Sequence, residues 1–417
     1  MTPTRLTTLA VLVAALVLTA TGIALLTPHA DSRGGGTNPL GHRPDDADRL
    51  DLFDTAPRFA AGTLQHASLL TSTDARAAVV LADPRDKSFP RKGTWISPVM
   101  PAEFRFYEFI PSYNAVCPAD TGVRLHARVR LAGTGEWSPW LYFGRWGRTV
   151  AVDREDRAVT SFDGGRVEVD VLVLDRPADA YQLRVSLQSL AADPAATPAL
   201  RRVAAVYSGP VPDDAERARL LAPPEYIGRW DRSLPVPFIP QGDAPPAMVG
   251  EVCSPTAVTM VAAYHGISRT LTQNALAIYD DENRIFGNWN RAVQRAGELG
   301  LDAWVTRFRT WDQARAAVAL GLPVVASIKF DKGTMPSNPI YQETDGHLIV
   351  IRGFTPDGDV IVNDPADRKL GNGVVYKASE LGRAWFGAGG VAYMIRPSSP
   401  GPGANVTSPT GPVTQPR

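Results

Sequence analysis

Two hydrophobic periods divide the chain, and one gives way to the other near residue 215. Val123-Arg124-Leu125-His126-Ala127-Arg128-Val129-Arg130-Leu131, Val167-Glu168-Val169-Asp170-Val171 and Tyr181-Gln182-Leu183-Arg184-Val185-Ser186-Leu187 alternate apolar and polar residues. Each run puts every second side chain on one face, as in a half-buried strand. Trp95-Ile96-Ser97 and Leu141-Tyr142-Phe143 are shorter strand candidates, and Gly133-Thr134-Gly135 and Asp163-Gly164-Gly165 mark turns. Short strands at this spacing, with no helical period among them, predict an all-β sandwich or jelly-roll-like domain over residues 51–215. The basic face Arg124, Arg128, Arg130 reads as a solvated sheet surface. Trp137, Trp140, Tyr142 and Trp146 read as core packing or, alternatively, as a sugar-stacking platform.

Residues 216–235, with Pro223-Pro224, read as a connector. From 236 to 397 the pattern is mixed. A buried helix of about three turns begins at Cys253, with Pro255 in its first turn and Gly266 as its stop. Further helices are expected over Leu271–Tyr279, Trp289–Leu299, Trp311–Leu320 and Ser379–Trp385. Strands are expected over Ala303–Phe308, Leu322–Phe330, His347–Phe354, Asp359–Asn363 and Val391–Ile395. Helices first and antiparallel strands later define an α+β domain.

Residues 1–30 carry Arg5 followed by an apolar stretch from Leu9 to Leu26, the pattern of an export signal. Either it is cleaved after Ala30 or residues 6–26 remain as an anchor, so the rest is expected to be secreted or held on the outer face of a membrane. Residues 31–50 read as a flexible linker and 398–417 as a disordered Pro/Gly/Ser/Thr tail, with a glycosylation sequon at Asn405. The formal charge of zero over 417 residues argues against nucleic acid or an anionic membrane surface as partner.

The chemistry centres on Cys253. A thiol at a helix N-terminus ionises more easily, and the thiolate is the nucleophile. It needs a base. The C-terminal half offers two histidines, and His265 lies twelve residues along the same helix, roughly 18 Å away at 1.5 Å per residue. That leaves His347. If the strands around Pro356-Asp357-Gly358 pair as a hairpin, Asp364 becomes its neighbour and can hold its tautomer. Asn363 is the alternative, disfavoured because adjacent residues point to opposite faces. Candidate oxyanion donors are the backbone N–H of Cys253 and the side chain of Gln241, which reads alternatively as a surface turn residue.

Val236-Pro237-Phe238-Ile239-Pro240-Gln241, Cys253-Ser254-Pro255-Thr256-Ala257, Gly346-His347-Leu348-Ile349-Val350 and Val362-Asn363-Asp364-Pro365 together resemble the bacteriocin-processing, double-glycine branch of the papain-like cysteine peptidases, over roughly residues 230–396. The resemblance implies Cys253 as nucleophile, His347 as general base and acid, Asp364 as its orienter and Gln241 as oxyanion donor. Ser254 departs from the commoner Cys-Gly-Pro form, and nothing in these 417 residues resembles an ATP-binding transporter. The expected activity is an exported peptidase or amidase acting on a peptide or protein, cell-wall peptide included, with no cofactor and no metal. The competing reading is a non-catalytic binding module in which Cys117 and Cys253 form a disulfide.

Overall fold

The computed structural model describes residues 45–71, 77–82, 88–152, 158–226 and 228–398. The export signal or anchor, most of the expected linker and the tail lie outside these residues. Among the described residues, no helix is long and apolar enough to cross a membrane.

The N-terminal region is β-rich. Its strands are β1 (Asp46–Phe53), β2 (Thr63–Gln65), β3 (Ala67–Thr71), β4 (Ala77–Leu81), β5 (Arg91–Ile96), β6 (Met100–Val116), β7 (Thr121–Leu131), β8 (Leu141–Gly147), β9 (Ser161–Phe162), β10 (Gly165–Glu168), β11 (Val171–Ser189) and β12 (Ala199–Pro210). A short helix α1 (Ala56–Ala60) follows β1, and α2 (Asp214–Leu221) follows β12 across the start of the expected connector. Strand β1 begins within the stretch expected to be linker. All the pairings are antiparallel. Strand β11 changes partner along its length, bonding β6 over Leu172–Tyr181 and β5 over Arg184–Ser189. These exchanges bend the network around one aromatic core that includes Trp95, Phe109, Tyr113, Tyr181 and Tyr207.

Two expectations are corrected here. Residues 167–171 are not one strand but the corner between β10 and β11, because Val169 adopts φ 60° and reverses the chain. The arginine face is only partly a solvated sheet surface: Arg124 is buried and Arg128 is covered by rings, while Arg130 stays half-exposed and pairs with Asp179. Trp137 and Trp140 each lie 4.7 Å from Arg128, Trp140 lies 4.9 Å from Arg184, and Tyr142 lies 4.8 Å from Arg124. Guanidinium groups therefore occupy the rings that a sugar would need.

The C-terminal region contains α3 (Cys253–Tyr264), α4 (Leu271–Ile278), α5 (Trp289–Glu298), β13 (Leu301–Arg307), α6 (Trp311–Ala319), β14 (Val324–Phe330), β15 (Thr344–Phe354), β16 (Val360–Asn363), β17 (Asn372–Tyr376), α7 (Ala378–Trp385) and β18 (Val391–Pro397). The strands form one antiparallel sheet ordered β13-β18-β14-β15-β16-β17. Thr270 and Thr310 close capping boxes at the starts of α4 and α6.

The two regions share a seam. On β6, Phe109, Tyr113 and Ala115 enter the N-terminal core, while Ile110 joins the C-terminal core. On the same face as Ile110, Ser112 Oγ accepts from Val305 N–H at 3.2 Å, and Asn114 Oδ1 accepts from Ala303 N–H at 3.0 Å. The outer edge of β13 is thereby satisfied by side chains of the other region. Gln294 continues the β6 ladder as a strand would: its Oε1 accepts from Ala115 N–H at 2.7 Å and its Nε2 donates to Ala115 O at 2.6 Å. A Cβ on Gly297 would stand 2.6 Å from Asn114 Cβ, so close approach requires glycine there. Arg309 forks onto Asp48 at 2.5 and 2.7 Å, and Arg307 pairs with Glu108, both inside the seam.

Candidate active site

Helix α3 is apolar on every side: Ala257, Val258, Met260, Val261 and Ala262 are all buried, which makes it the spine of the C-terminal core. Its polar residues are satisfied internally. Ser254 Oγ lies 3.0 Å from Tyr393 Oη, and Thr256 and Thr259 donate to carbonyls one turn back. Gly266 at φ 81° ends the helix. Val252, the residue before the helix, offers no side-chain cap, and the Cys253 sulfur itself accepts from Ser254 N–H.

Strand β15 brings His347 to this end. Its ring Nε2 lies 2.8 Å from Asp364 Oδ1, which leaves Nδ1 for the hydrogen bond between His347 and the Cys253 sulfur. Asp364 is fully buried and engaged on both oxygens. Oδ1 also accepts from Ala366 N–H at 3.0 Å, and Oδ2 accepts from Tyr341 at 2.7 Å and Tyr376 at 2.8 Å. Asn363 points the other way. Its Nδ2 donates to Val236 O at 3.0 Å and its Oδ1 accepts from Gly373 N–H at 3.2 Å, pinning the segment that leads to Gln241.

Gln241 opens a single 3-10 turn, Gln241–Asp243. Its N–H donates to Pro365 O at 2.8 Å, which ties it beside Asp364, and its Oε1 is buried without a hydrogen-bond partner. His265 caps the far end of α3, with Nε2 3.1 Å from Ile395 O. Cys253, His347 and Asp364 are thus brought together, and Gln241 is anchored next to them through its backbone.

The electrostatics follow from these contacts. Burial alone would lift the Cys253 thiol. The hydrogen bond and charge of His347, helped by the N–H groups of Leu348 and Ser254, outweigh it and hold the thiol below its ordinary range. Burial would likewise depress His347, but the charge and hydrogen bond of Asp364, with those of Cys253, push it up to about 10. Burial opposes ionisation of Asp364, yet His347, Ala366 N–H and Tyr341 keep it below the usual carboxylate range. Both directions favour an imidazolium beside a thiolate over the neutral pair.

Sequence reasoning missed Tyr341 and Tyr376. The first lies in a loop before β15, the second on β17, a strand not foreseen. The signal that could have found them is the requirement that a buried carboxylate be saturated with donors.

The site opens into a cavity of about 1000 Å³ lined by Cys253, His347, Trp289, Lys329 and Arg383 and, from the N-terminal region, by residues 168–171. Residues 233–393 match the model of the peptidase C39-like family. These residues belong to that family. Residues 49–208 match the peptidase C39 N-terminal domain, so the chain pairs a β-rich N-terminal domain with a C39-like peptidase domain. Among solved structures, a double-glycine motif protease from an AMS/PCAT transporter, in complex with its leader peptide, is 20% identical with a TM-score of 0.29, covering 41% of this chain and 99% of that one. A C39-like peptidase from Bacillus anthracis is 18% identical with a TM-score of 0.32, covering 40% of this chain and 100% of that one. A xylanase fragment from Clostridium thermocellum is 10% identical with a TM-score of 0.19, covering 36% of this chain and 27% of that one. No curated protein matches.

Both cysteines are free thiols in the structure, at variance with the disulfide-bonded module. Cys117 sits between β6 and β7, where burial and then Glu298 push its thiol up to about 12. A raised thiol holds less thiolate near neutral pH than one held below its ordinary range, as at Cys253. Among the described residues, no group of three or more His, Cys, Asp and Glu is arranged to hold a metal ion.

Proposed function

We propose that the chain is an exported, papain-like cysteine peptidase or amidase that hydrolyses peptide bonds through Cys253, His347 and Asp364. The observation that carries this reading is the buried hydrogen-bonded chain from Asp364 through His347 to Cys253, opening onto a cleft in a C39-like domain. The Cys253 thiolate attacks the peptide carbonyl carbon, and the carbonyl oxygen takes up the negative charge. The N–H groups at the start of α3 and the side-chain amide of Gln241 donate to it. As the C–N bond breaks, His347 gives its proton to the leaving amine, and a thioester remains. Water, deprotonated by His347, then adds to the thioester. The C–S bond breaks, the acid leaves, and the thiolate–imidazolium pair is restored. Asp364 holds the ring tautomer, and Tyr341 and Tyr376 hold Asp364.

Export by residues 6–26 rests on their apolar sequence. The domain limits we propose are 46–210 for a sandwich-like accessory domain and 233–397 for the peptidase, from the first and last strands of each and the bridge at Ser233. Peptides, cell-wall peptides included, are the substrate class.

The test is alkylation of the purified chain with iodoacetamide across pH, with each cysteine mapped. Rapid modification of Cys253 below the ordinary thiol range of about 8.5, abolished by His347→Ala, is the expected result. A Cys253 no faster than a free thiol would falsify the peptidase reading.

A further inference from the structure

The N-terminal domain enters the cleft at one turn. Glu168 pairs with Val171, and Asp170 N–H donates to Glu168 O at 2.7 Å, so the chain reverses around a single residue, Val169. Its φ of 60° is one that glycine adopts freely and a β-branched side chain resists. The turn is held on both sides. Val171 is buried in the C-terminal core, and Asp170, 4% exposed, accepts from Trp289 N–H at 2.6 Å at the start of α5. Glu168 is paired with Arg166 at 2.5 Å, so Val169 is the group the turn leaves unengaged. Val169 is 40% exposed, belongs to neither core, and lines the cavity that holds Cys253 and His347. Strain kept at an exposed apolar residue in the wall of the cavity that holds the thiol points to a contact with whatever enters the cleft.

We infer that Val169 is a specificity-determining residue: the β10–β11 turn forms one wall of the substrate groove and selects extended peptides that present an apolar side chain to it. The inference rests on the peptidase reading above. The accessory domain is on this account part of the substrate site. The cavity is large enough for several residues of peptide, and its other walls come from β14, β15, the starts of α3 and α5, and the end of α7.

The experiment labels the full chain with peptidyl chloromethyl ketones that carry Gly, Leu, Asp or Lys at one position at a time, beside iodoacetamide. Wild type is expected to favour Leu at one position by about tenfold or more, the scale of a single apolar pocket contact. Val169→Gly narrows that preference to about threefold, and unfolds at the same temperature or higher because the strain is gone. Val169→Asp turns the preference toward Lys. An identical preference in all three proteins, with iodoacetamide still reacting rapidly at Cys253, overturns the inference and leaves the peptidase reading standing. A lower melting temperature for Val169→Gly with unchanged selectivity makes Val169 a structural residue and overturns it as well. If iodoacetamide finds no fast cysteine in wild type, the peptidase reading falls and takes the inference with it.

Discussion

Two buried carboxylates, Asp364 in the cleft and Glu108 in the seam, are held in different ways. Asp364 receives four donors on its two oxygens. Glu108 meets Arg307 through Oε2, while its Oε1 has no hydrogen-bond partner. A saturated carboxylate cannot rotate or take up a proton cheaply, so the ring it holds is fixed in position and tautomer. A half-engaged one orients two domains but aims nothing. Buried charge at the seam joins the two regions, and on the proposed mechanism the buried charge of Asp364 serves chemistry.

Mutations should separate the two roles. The largest effect is expected from Asp364→Asn, which keeps the shape but offers His347 a donor where it needs an acceptor. Peptide hydrolysis should fall about ten-thousand-fold, read as kcat/KM on any peptide that wild type cleaves. A loss under tenfold would show that the orientation of His347 comes from elsewhere. At the seam, Asn114→Ala strips the partners of Ala303 N–H and Val293 O. Stability should drop by about 2–4 kcal/mol in denaturant titration, with hydrolysis per folded molecule unchanged. A catalytic defect in that variant would erase the distinction between seam and cleft.

The pH profile sharpens it further. Alkylation of Cys253 should decline only when pH falls below its lowered thiol range, by about tenfold per unit. Hydrolysis should also fall as pH rises toward about 10, because His347 then loses the proton it gives to the leaving amine. The raised His347 contributes stability that is full below the ordinary histidine range and lost as pH climbs to about 10. The depressed Asp364 contributes stability that is lost as pH falls through its lowered range. Tyr376→Phe should have the smallest effect, about tenfold in hydrolysis, since one charge-assisted hydrogen bond of the four is worth about 1.5–3 kcal/mol and the other three remain.

These expectations also mark what the sequence could convey. In the C39-like domain the helices carry their own boundaries, such as Thr270, Thr310 and Gly266, so the elements read one by one. Asp364 and Asn363 could be weighed against each other because alternation along β16 is local. Strands β6 and β12 were not legible. Along β12 and the second half of β6 both faces are buried, each against a different core, which removes the alternation that announces a strand. At residues 167–171 alternation continued through a corner, and only a backbone angle reveals the turn. The tyrosines on Asp364 come from two elements outside the hairpin, and no spacing rule connects them.

The side chains that cover β13 have a consequence for the order of synthesis. Ser112 and Asn114 leave the ribosome nearly two hundred residues before the backbone groups they satisfy, Val305 and Ala303. An accessory domain that folds first presents a ready template as the later strand emerges. The bare sheet edge, the part of the newborn peptidase best able to recruit a stranger, meets its own partner before it meets another chain.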